Sequence, residues 1–280
     1  MRNFHPLTVL VFFAAMITEL MAASSPILSF ILLAGAYLVF LRINGIRGAV
    51  KTAFGIGIII FILSVMNLLF VHRGATPLFF INGKAVTLES AAYGVFSSVR
   101  LAAGILWCRN FSIIMTNDRI YCLTGKLSPK LTAMLTTAVR FIPDMISQAG
   151  KINAYTKISG KFNSELKRLM AVFSALVTWS IESGVHTADS MKCRGFELGG
   201  RTSYSNYTIK SEDLTLMILS IVSAILIFIL SDRISLDFYP KIKNNTQIIP
   251  IAVSVISSAS AFLFPIFFSI ITERKRGKRI

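Results

Sequence analysis

The chain has 280 residues, of which 54% are hydrophobic and 22 are Phe, and its mean hydropathy is +0.67. This composition excludes an ordinary soluble domain and predicts a polytopic membrane protein. A net charge of +16 in a soluble protein would suggest nucleic acid. Here the basic residues group on one side of the predicted spans, so we expect a lipid bilayer as partner and no nucleic acid.

Six apolar runs approach the length of about 20 residues that crosses a hydrocarbon core. They are residues 7–23, 27–41, 52–71, 91–115, 214–230 and 248–271. Ser24, Ser25 and Pro26 divide the first two runs, which we predict to form either a tight hairpin or one kinked helix. Because Glu19 lies inside the first run and Arg2 is the sole basic residue before it, we expect no cleaved signal peptide.

Charge predicts the orientation of these spans. Of the 29 basic residues, 22 lie in the first residues, the loop after span two, the segment 116–212 and the C-terminal tail. Lys and Arg are enriched in cytoplasmic segments, so we expect both termini and the segment 116–212 in the cytoplasm. The loops 71–90 and 231–247 are expected outside.

The segment 116–212 has the pattern of two long amphipathic helices. Apolar residues recur every three or four positions from Leu131 to Ile152 and again from Leu166 to Met191. Each helix would be roughly 40 Å long, with a turn at Gly160 between them. The predicted fold is therefore all-α, a polytopic helical membrane protein with about six spans. Its parts are 1–115 with spans one to four, the insert 116–212, and 213–280 with spans five and six.

Small residues recur on the second long helix, at Ser180, Gly184 and Ala188. Such a face lets another helix approach closely. It predicts either ordinary tight packing or a crossing of the two long helices over this face.

Two further features shape the helix pair. Arg194-Gly195 comes where the second apolar stripe ends, as expected for a cation and a glycine that terminate a helix. In Arg140-Phe141-Ile142-Pro143 the proline marks a kink or a first turn, and a bend there would set the angle of the helix.

Glu19 and Arg100 are ionisable residues within apolar runs, where an unpaired charge costs several kcal/mol. We expect them to form a structural pair. No chain of such groups follows, so the sequence does not indicate a proton or ion path.

Catalytic, cofactor and metal sites are not expected. Cys108, Cys122 and Cys193 lack metal-ligand spacing, and the three histidines are scattered. No glycine-rich loop of the ATPase type is present. The chain is therefore not predicted to be an enzyme, and ATP hydrolysis would need other subunits.

The run from Ala188 to Tyr204 carries a resemblance. Its pattern Ala-Asp-Ser-Met-Lys-x-Arg-Gly-Phe-x-x-Gly-x-Arg-Thr-Ser-Tyr resembles the second coupling motif of the transmembrane (T) component of energy-coupling factor (ECF) transporters. The Arg140–Pro143 element resembles a family element that opens the first long helix. Thr87-x-Glu89 with Gly94 and Arg100 resembles the segment leading into span four.

The resemblance implies that the two long cytoplasmic helices are coupling helices, each ending in an Ala-Arg-Gly motif that docks on an ATPase subunit. The second motif is Cys193-Arg194-Gly195. The first reads Ile158-Ser159-Gly160, so its arginine is replaced by Ser159, with Lys157 and Lys161 beside it. This departure predicts that Arg194 is the dominant ionic anchor, because serine carries no charge.

The resemblance implies a non-catalytic scaffold of a bacterial or archaeal plasma-membrane importer of vitamins or transition metals. Its partners would be two ABC-type ATPase subunits and a small substrate-binding (S) membrane subunit. Two alternatives are a membrane enzyme acting on a lipid or prenyl substrate and a secondary transporter. Dispersed acidic residues disfavour the first, and the absence of two similar halves disfavours the second.

Overall fold

A computed structural model describes residues 4–22, 25–71, 76–81, 84–160, 164–196, 198, 210–231, 236–237, 243–244 and 248–277. The chain divides into two compact units. One comprises Met1–Asn117 with Tyr207–Ile280, and the other is Asp118–Asn206. These divisions lie near positions 116 and 212, where we placed the bounds of the insert.

The chain is predominantly helical. In chain order the elements are α1 (Pro6–Ala22), α2 (Pro26–Phe70), β1 (Pro77–Ile81), β2 (Lys84–Thr87), α3 (Leu88–Ile114), α4 (Asn117–Leu127), α5 (Pro129–Ser159), α6 (Glu165–Cys193), α7 (Ser211–Leu230), β3 (Leu236–Asp237), β4 (Lys243–Asn244) and α8 (Ile248–Gly277). Among the described residues, four helices are long and apolar enough to cross a membrane, namely α2, α3, α6 and α7. The helix α1 and the 249–263 part of α8 are apolar but shorter.

Two short antiparallel hairpins are an exception to the predicted all-α fold. The strands β1 and β2 pair with each other, as do β3 and β4. The sequence between β1 and β2 is Asn82-Gly83, a dipeptide that favours tight hairpin turns. Hydropathy alone classed this segment as a loop and missed that signal.

Two helices replace the ambiguous first pair of spans. Ser25 is extended (φ −105°, ψ 141°), and its hydroxyl accepts a hydrogen bond from the Leu28 N–H, so it caps α2. Pro26 follows at the first turn, where its missing N–H costs nothing. The helix α1 ends at Ala22 and α2 begins at Pro26, so two separate helices occupy these runs and not one kinked helix.

Predicted spans two and three, residues 27–41 and 52–71, lie within one 45-residue element, α2, that is broken at Gly45. Gly45 has φ 72° and ψ 176°, a conformation that is essentially restricted to glycine. The helical parts are thus residues 26–44 and 46–70. Gly45 lies in the interval 42–51 that separated these two predicted spans, although no proline marks the position.

The core of the membrane unit lies where α1, α2 and α3 meet. Trp107 of α3 is fully buried and packs edge-on against Phe12 and Phe13 of α1, with ring centroids 5.9 and 5.8 Å away. Its Nε1–H donates to the Leu32 carbonyl of α2, and Asn110 Nδ2 donates to the Ala36 carbonyl at 2.8 Å. Such side-chain bonds hold apolar helices together where water cannot compete.

Asp213 fixes the start of α7 to the chain segment before α1. Its Oδ1 accepts the His5 N–H at 2.9 Å, and its Oδ2 accepts the Lys210 N–H at 2.9 Å. The carboxylate is buried and uses both oxygens, so it anchors two distant parts of this unit.

The second unit consists of α4, α5 and α6. The helix α5 ends at Ser159, with Gly160 as its C-cap, and α6 begins at Glu165. Because the connection is this short, the two helices run antiparallel. Phe141 of α5 stacks on Trp179 of α6, with ring centroids 5.5 Å apart and an interplanar angle of 8°. Among the described aromatic residues of this unit, this pair joins the two long helices.

Candidate docking site on the helix pair

The end of α6 has the hydrogen bonds of a Schellman motif. The Phe196 N–H donates to the Met191 carbonyl at 3.1 Å, and the Gly195 N–H donates to the Lys192 carbonyl at 2.9 Å. Gly195 has φ 77°, which permits this reversal without side-chain strain. Cys193 and Arg194 are exposed beside it, so a sharply terminated helix end presents the Arg194 guanidinium.

The end of α5 is a simpler version of the same stop. Gly160 is left-handed (φ 60°, ψ 6°), and its N–H contacts the Lys157 carbonyl at 3.4 Å. Lys157, Ser159 and Gly160 are all exposed. This end therefore presents lysine and serine side chains without a guanidinium, and Lys161 lies outside the described residues.

The structure does not bring the two predicted motifs together. Because α5 and α6 are antiparallel and consecutive, their C-terminal ends lie at opposite ends of the pair. The 30 residue-to-residue steps from Ser164 to Arg194 correspond to about 45 Å at helical rise. Two partners, or two sites on a large partner, are needed to contact both ends.

A groove lies between the N-terminal half of α5 and the C-terminal half of α6, and Gly125 of α4 also lines it. Its volume is about 1330 Å³, and the stacked rings of Phe141 and Trp179 are part of its lining. Arg140 and Asp144 of α5 line it, as do Arg194, Gly195 and Phe196 at the end of α6. It is also lined by six hydroxyl side chains, those of Thr132, Thr136, Thr137, Ser183, Thr187 and Ser190.

Sequence reasoning missed this groove, because it considered the apolar stripes rather than the faces between them. The signal was present as hydroxyl residues at helical spacing, at Thr132 and Thr136 on α5 and at Ser183 and Thr187 on α6. Several of these hydroxyls donate to carbonyls of their own helix, as Thr136 does to Thr132 and Thr187 to Ser183. They are thus left mainly as acceptors toward a partner.

Arg140 and Arg194 supply the strong donors of the groove. Both are exposed, and within the described part of the chain neither guanidinium has a hydrogen bond or an ion pair. Glu182 lies 4.0 Å from His186 Nε2 on the same wall. Asp144 lies one turn from Arg140 without pairing with it. The groove therefore combines unsatisfied guanidinium groups with a mixed-charge lining.

The Arg140–Pro143 element does not open the first long helix, contrary to expectation. The helix α5 begins earlier, with Ser128 extended at its N-cap and Pro129 in its first turn. Pro143 lies inside α5, which remains helical on both sides of it. Its ring removes the bond to the residue 139 carbonyl, a local cost that the rest of the helix offsets. What this element does is place Arg140 and Phe141 in the groove.

The small-residue face is not where the long helices meet. Residues facing α5 include Trp179, Ser183 and Thr187, and Gly184 is about 100° further around α6. A Cβ on Gly184 would have no atom within 4 Å, and Ala188 is exposed. Ser180 is half-buried, and its hydroxyl donates to the Val177 carbonyl. The predicted crossing over this face is therefore wrong within the described chain.

Glu19 and Arg100, both described, do not form the expected ion pair. Arg100 Nε donates to the Leu20 carbonyl at 2.9 Å, and Nη2 donates to the Met21 carbonyl, so the guanidinium caps the end of α1. Glu19 is fully buried and accepts a hydrogen bond from the Ser223 hydroxyl of α7. The last carbonyls of a helix lack intrahelical partners and attract a cation. The Arg100 guanidinium therefore binds these carbonyls and does not bind Glu19, the partner that we predicted.

Among the described residues no group of three or more His, Cys, Asp or Glu side chains could hold a metal ion. No protein-family model matches the chain, and a search of curated proteins also found no match. The candidate site thus stands on its geometry and on the motif resemblance.

Proposed function

We propose that this chain is the transmembrane scaffold of an ATP-driven importer of the ECF class. It would couple movement of ATPase subunits to a substrate-binding membrane subunit for vitamin or transition-metal uptake. The observation that carries this proposal is the end of α6, where the motif residues Cys193, Arg194 and Gly195 form an exposed, hydrogen-bonded helix stop. An exposed guanidinium on a hydrogen-bonded helix end suits bidentate pairing with a partner carboxylate.

Six crossings are consistent with the described helices. The 45 residues of α2 would extend about 67 Å as one helix, twice the hydrocarbon thickness of about 30 Å. Divided at Gly45, its parts provide two crossings, and α1, α3, α7 and α8 provide the others. We place α6 outside the bilayer, although it is apolar enough to cross, because it carries Glu182, Asp189 and Lys192 besides its charged first turn.

The C-terminal ends of α5 and α6 lie far apart, which supports a role for this helix pair as a lever. Packed helices shift as rigid bodies rather than deform continuously, so movement at one end of the pair is transmitted to the other. The stacked Phe141 and Trp179 rings hold α5 and α6 together along this lever. In this account Arg194 provides the stronger ATPase contact, and the Lys157–Gly160 end provides a weaker one or binds a nonidentical ATPase.

Purification from the native membrane in mild detergent tests the proposal. We expect the full chain to copurify with nucleotide-binding subunits that carry a phosphate-binding loop, and with a small membrane subunit. Mass spectrometry identifies both kinds of partner. A chain that purifies alone and transports a substrate in liposomes without ATP would overturn the proposal.

A further inference from the structure

We infer that Arg140 and Arg194 together bind one acidic polypeptide segment of the ATPase subunit, which enters the groove between α5 and α6. This inference rests on the proposed function and adds a second anchor to it. Sequence reasoning gave Arg140 only a role in helix geometry, whereas the structure places it on the wall opposite α6, in the groove that Arg194 closes.

The size of the groove favours a polypeptide over a small molecule. Its volume of about 1330 Å³ exceeds the range of roughly 300 to 1,000 Å³ that is usual for small-molecule pockets. It extends over residues 132 to 144 of α5, about 18 Å at helical rise, and continues beyond them to Gly125 of α4 and Phe196 at the end of α6. A helix end or an extended loop fits a groove of this length.

The two arginines are the groups of the groove that recognise an acidic segment. Both guanidinium groups are exposed and unpaired within the described residues, whereas the two carboxylates of the lining each lie one turn from a basic side chain, Asp144 from Arg140 and Glu182 from His186. The hydroxyls of Thr136, Thr137 and Thr187 already donate to their own helices. Carboxylates of a partner are therefore recognised by the arginines, each of which can bind one in bidentate fashion.

The antiparallel register sets the spacing of those carboxylates. Arg140 adjoins Phe141, which stacks on Trp179, and Arg194 follows Trp179 by 15 positions on α6. The two arginines are therefore about 20 Å apart along the groove. A partner segment needs acidic residues about 13 positions apart if it is helical, or about six if it is extended.

Photocrosslinking of the full chain in its native host tests this placement. A photoreactive residue replaces Thr136 or Thr187 inside the groove, Cys193 at the end of α6, or Gly184 on the open face. We expect Thr136 and Thr187 to crosslink to an ATPase peptide with two acidic residues at that spacing, and Gly184 not to crosslink to it. Crosslinks from the groove to lipid or to a second copy of this chain would overturn the inference.

Substitution provides the second measurement. Arg140→Ala is expected to reduce copurifying ATPase about tenfold, which corresponds to about 1.4 kcal/mol. Arg140→Lys should restore only part of it, and Lys130→Ala, an exposed change on the same helix, should have no effect. If Cys193 crosslinks to the ATPase but Arg140→Ala equals Lys130→Ala, the inference fails while the proposed function stands. If neither Cys193 nor the groove crosslinks to an ATPase, both fail.

Discussion

Among the described residues, three glycines with positive φ mark where helices end or break, and of these Gly195 alone has a neighbouring atom within 4 Å of the position that a Cβ would take; it is the most constrained. A Cβ on Gly195 would lie 2.8 Å from Leu198 Cδ1, besides requiring φ 77°. Leu198 is exposed and can move, so the backbone conformation is the main cost. Its position after a basic residue at the end of an apolar stripe made this stop predictable from sequence.

Gly195→Ala is expected to destabilise the last turn of α6 by about 1 kcal/mol, because alanine is strained at positive φ. Gly184→Ala is the matched control. It lies mid-helix with open space around its Cβ, so it should stabilise α6 by about 0.5 to 1 kcal/mol. Hydrogen exchange of amides 190–196 measures both effects. Equal protection in the two variants would contradict the assigned role of Gly195.

Other features at the residue scale were beyond prediction from one sequence. Hydropathy identified Glu19 and Arg100 as exceptional, but their partners depend on how α1, α3 and α7 are rotated about their axes. Arg100 binds the backbone carbonyls of Leu20 and Met21. Every residue has such a carbonyl, so the amino-acid sequence does not indicate which ones bind Arg100.

At the scale of elements, apolar periodicity predicted α5 and α6 well, because a stripe that repeats every three or four residues over many turns is typical of an amphipathic helix. Their contacts were not predicted. Much of each apolar stripe is exposed, as at Ile146 and Phe173, each 68% accessible, and the helices meet instead at Phe141 and Trp179. The N-cap at Ser128 was also missed, because Pro143 gave a competing start signal.

The break in α2 gives a prediction at this scale. Gly45→Ala should cost about 1 to 3 kcal/mol, because φ 72° with ψ 176° is almost closed to residues with a Cβ. Gly55→Ala is the control, since Gly55 has ordinary helical φ and free space. Spin labels at Leu38 and Phe61 report the angle between the two parts of α2. An unchanged distance and unchanged thermal stability for Gly45→Ala would contradict the account of this break.

At the scale of the whole molecule, hydropathy and basic-residue placement predicted a helical membrane protein with a distinct middle segment. They could not decide the number of crossings, because α6 is both amphipathic and apolar enough to span a bilayer. A helix that lies at the membrane surface and a helix that spans the membrane can have the same composition. The two arrangements differ in whether the two ends of the helix lie on the same side of the membrane or on opposite sides.

The proposed topology predicts that both ends of α6 lie in the cytoplasm. In a background of Cys108→Ser and Cys122→Ser, native Cys193 or a cysteine at Ser159 should resist a membrane-impermeant maleimide in intact cells. Both should react after permeabilisation and removal of the partner subunits, since both positions are exposed in this chain. Labelling of one position but not the other in intact cells would indicate that α6 crosses the membrane.

The central claim is that the end of α6 docks on an ATPase, and Arg194→Ala tests it most directly. Losing the dominant charged contact should reduce copurifying ATPase and ATP hydrolysis by the membrane complex at least about tenfold. Membrane yield should be unchanged, because Arg194 is exposed and its guanidinium makes no hydrogen bond or ion pair with the described residues. Lys192→Ala, which removes an exposed cation of the same helix turn, is the control. ATPase copurification and hydrolysis equal to wild type in Arg194→Ala would contradict the account.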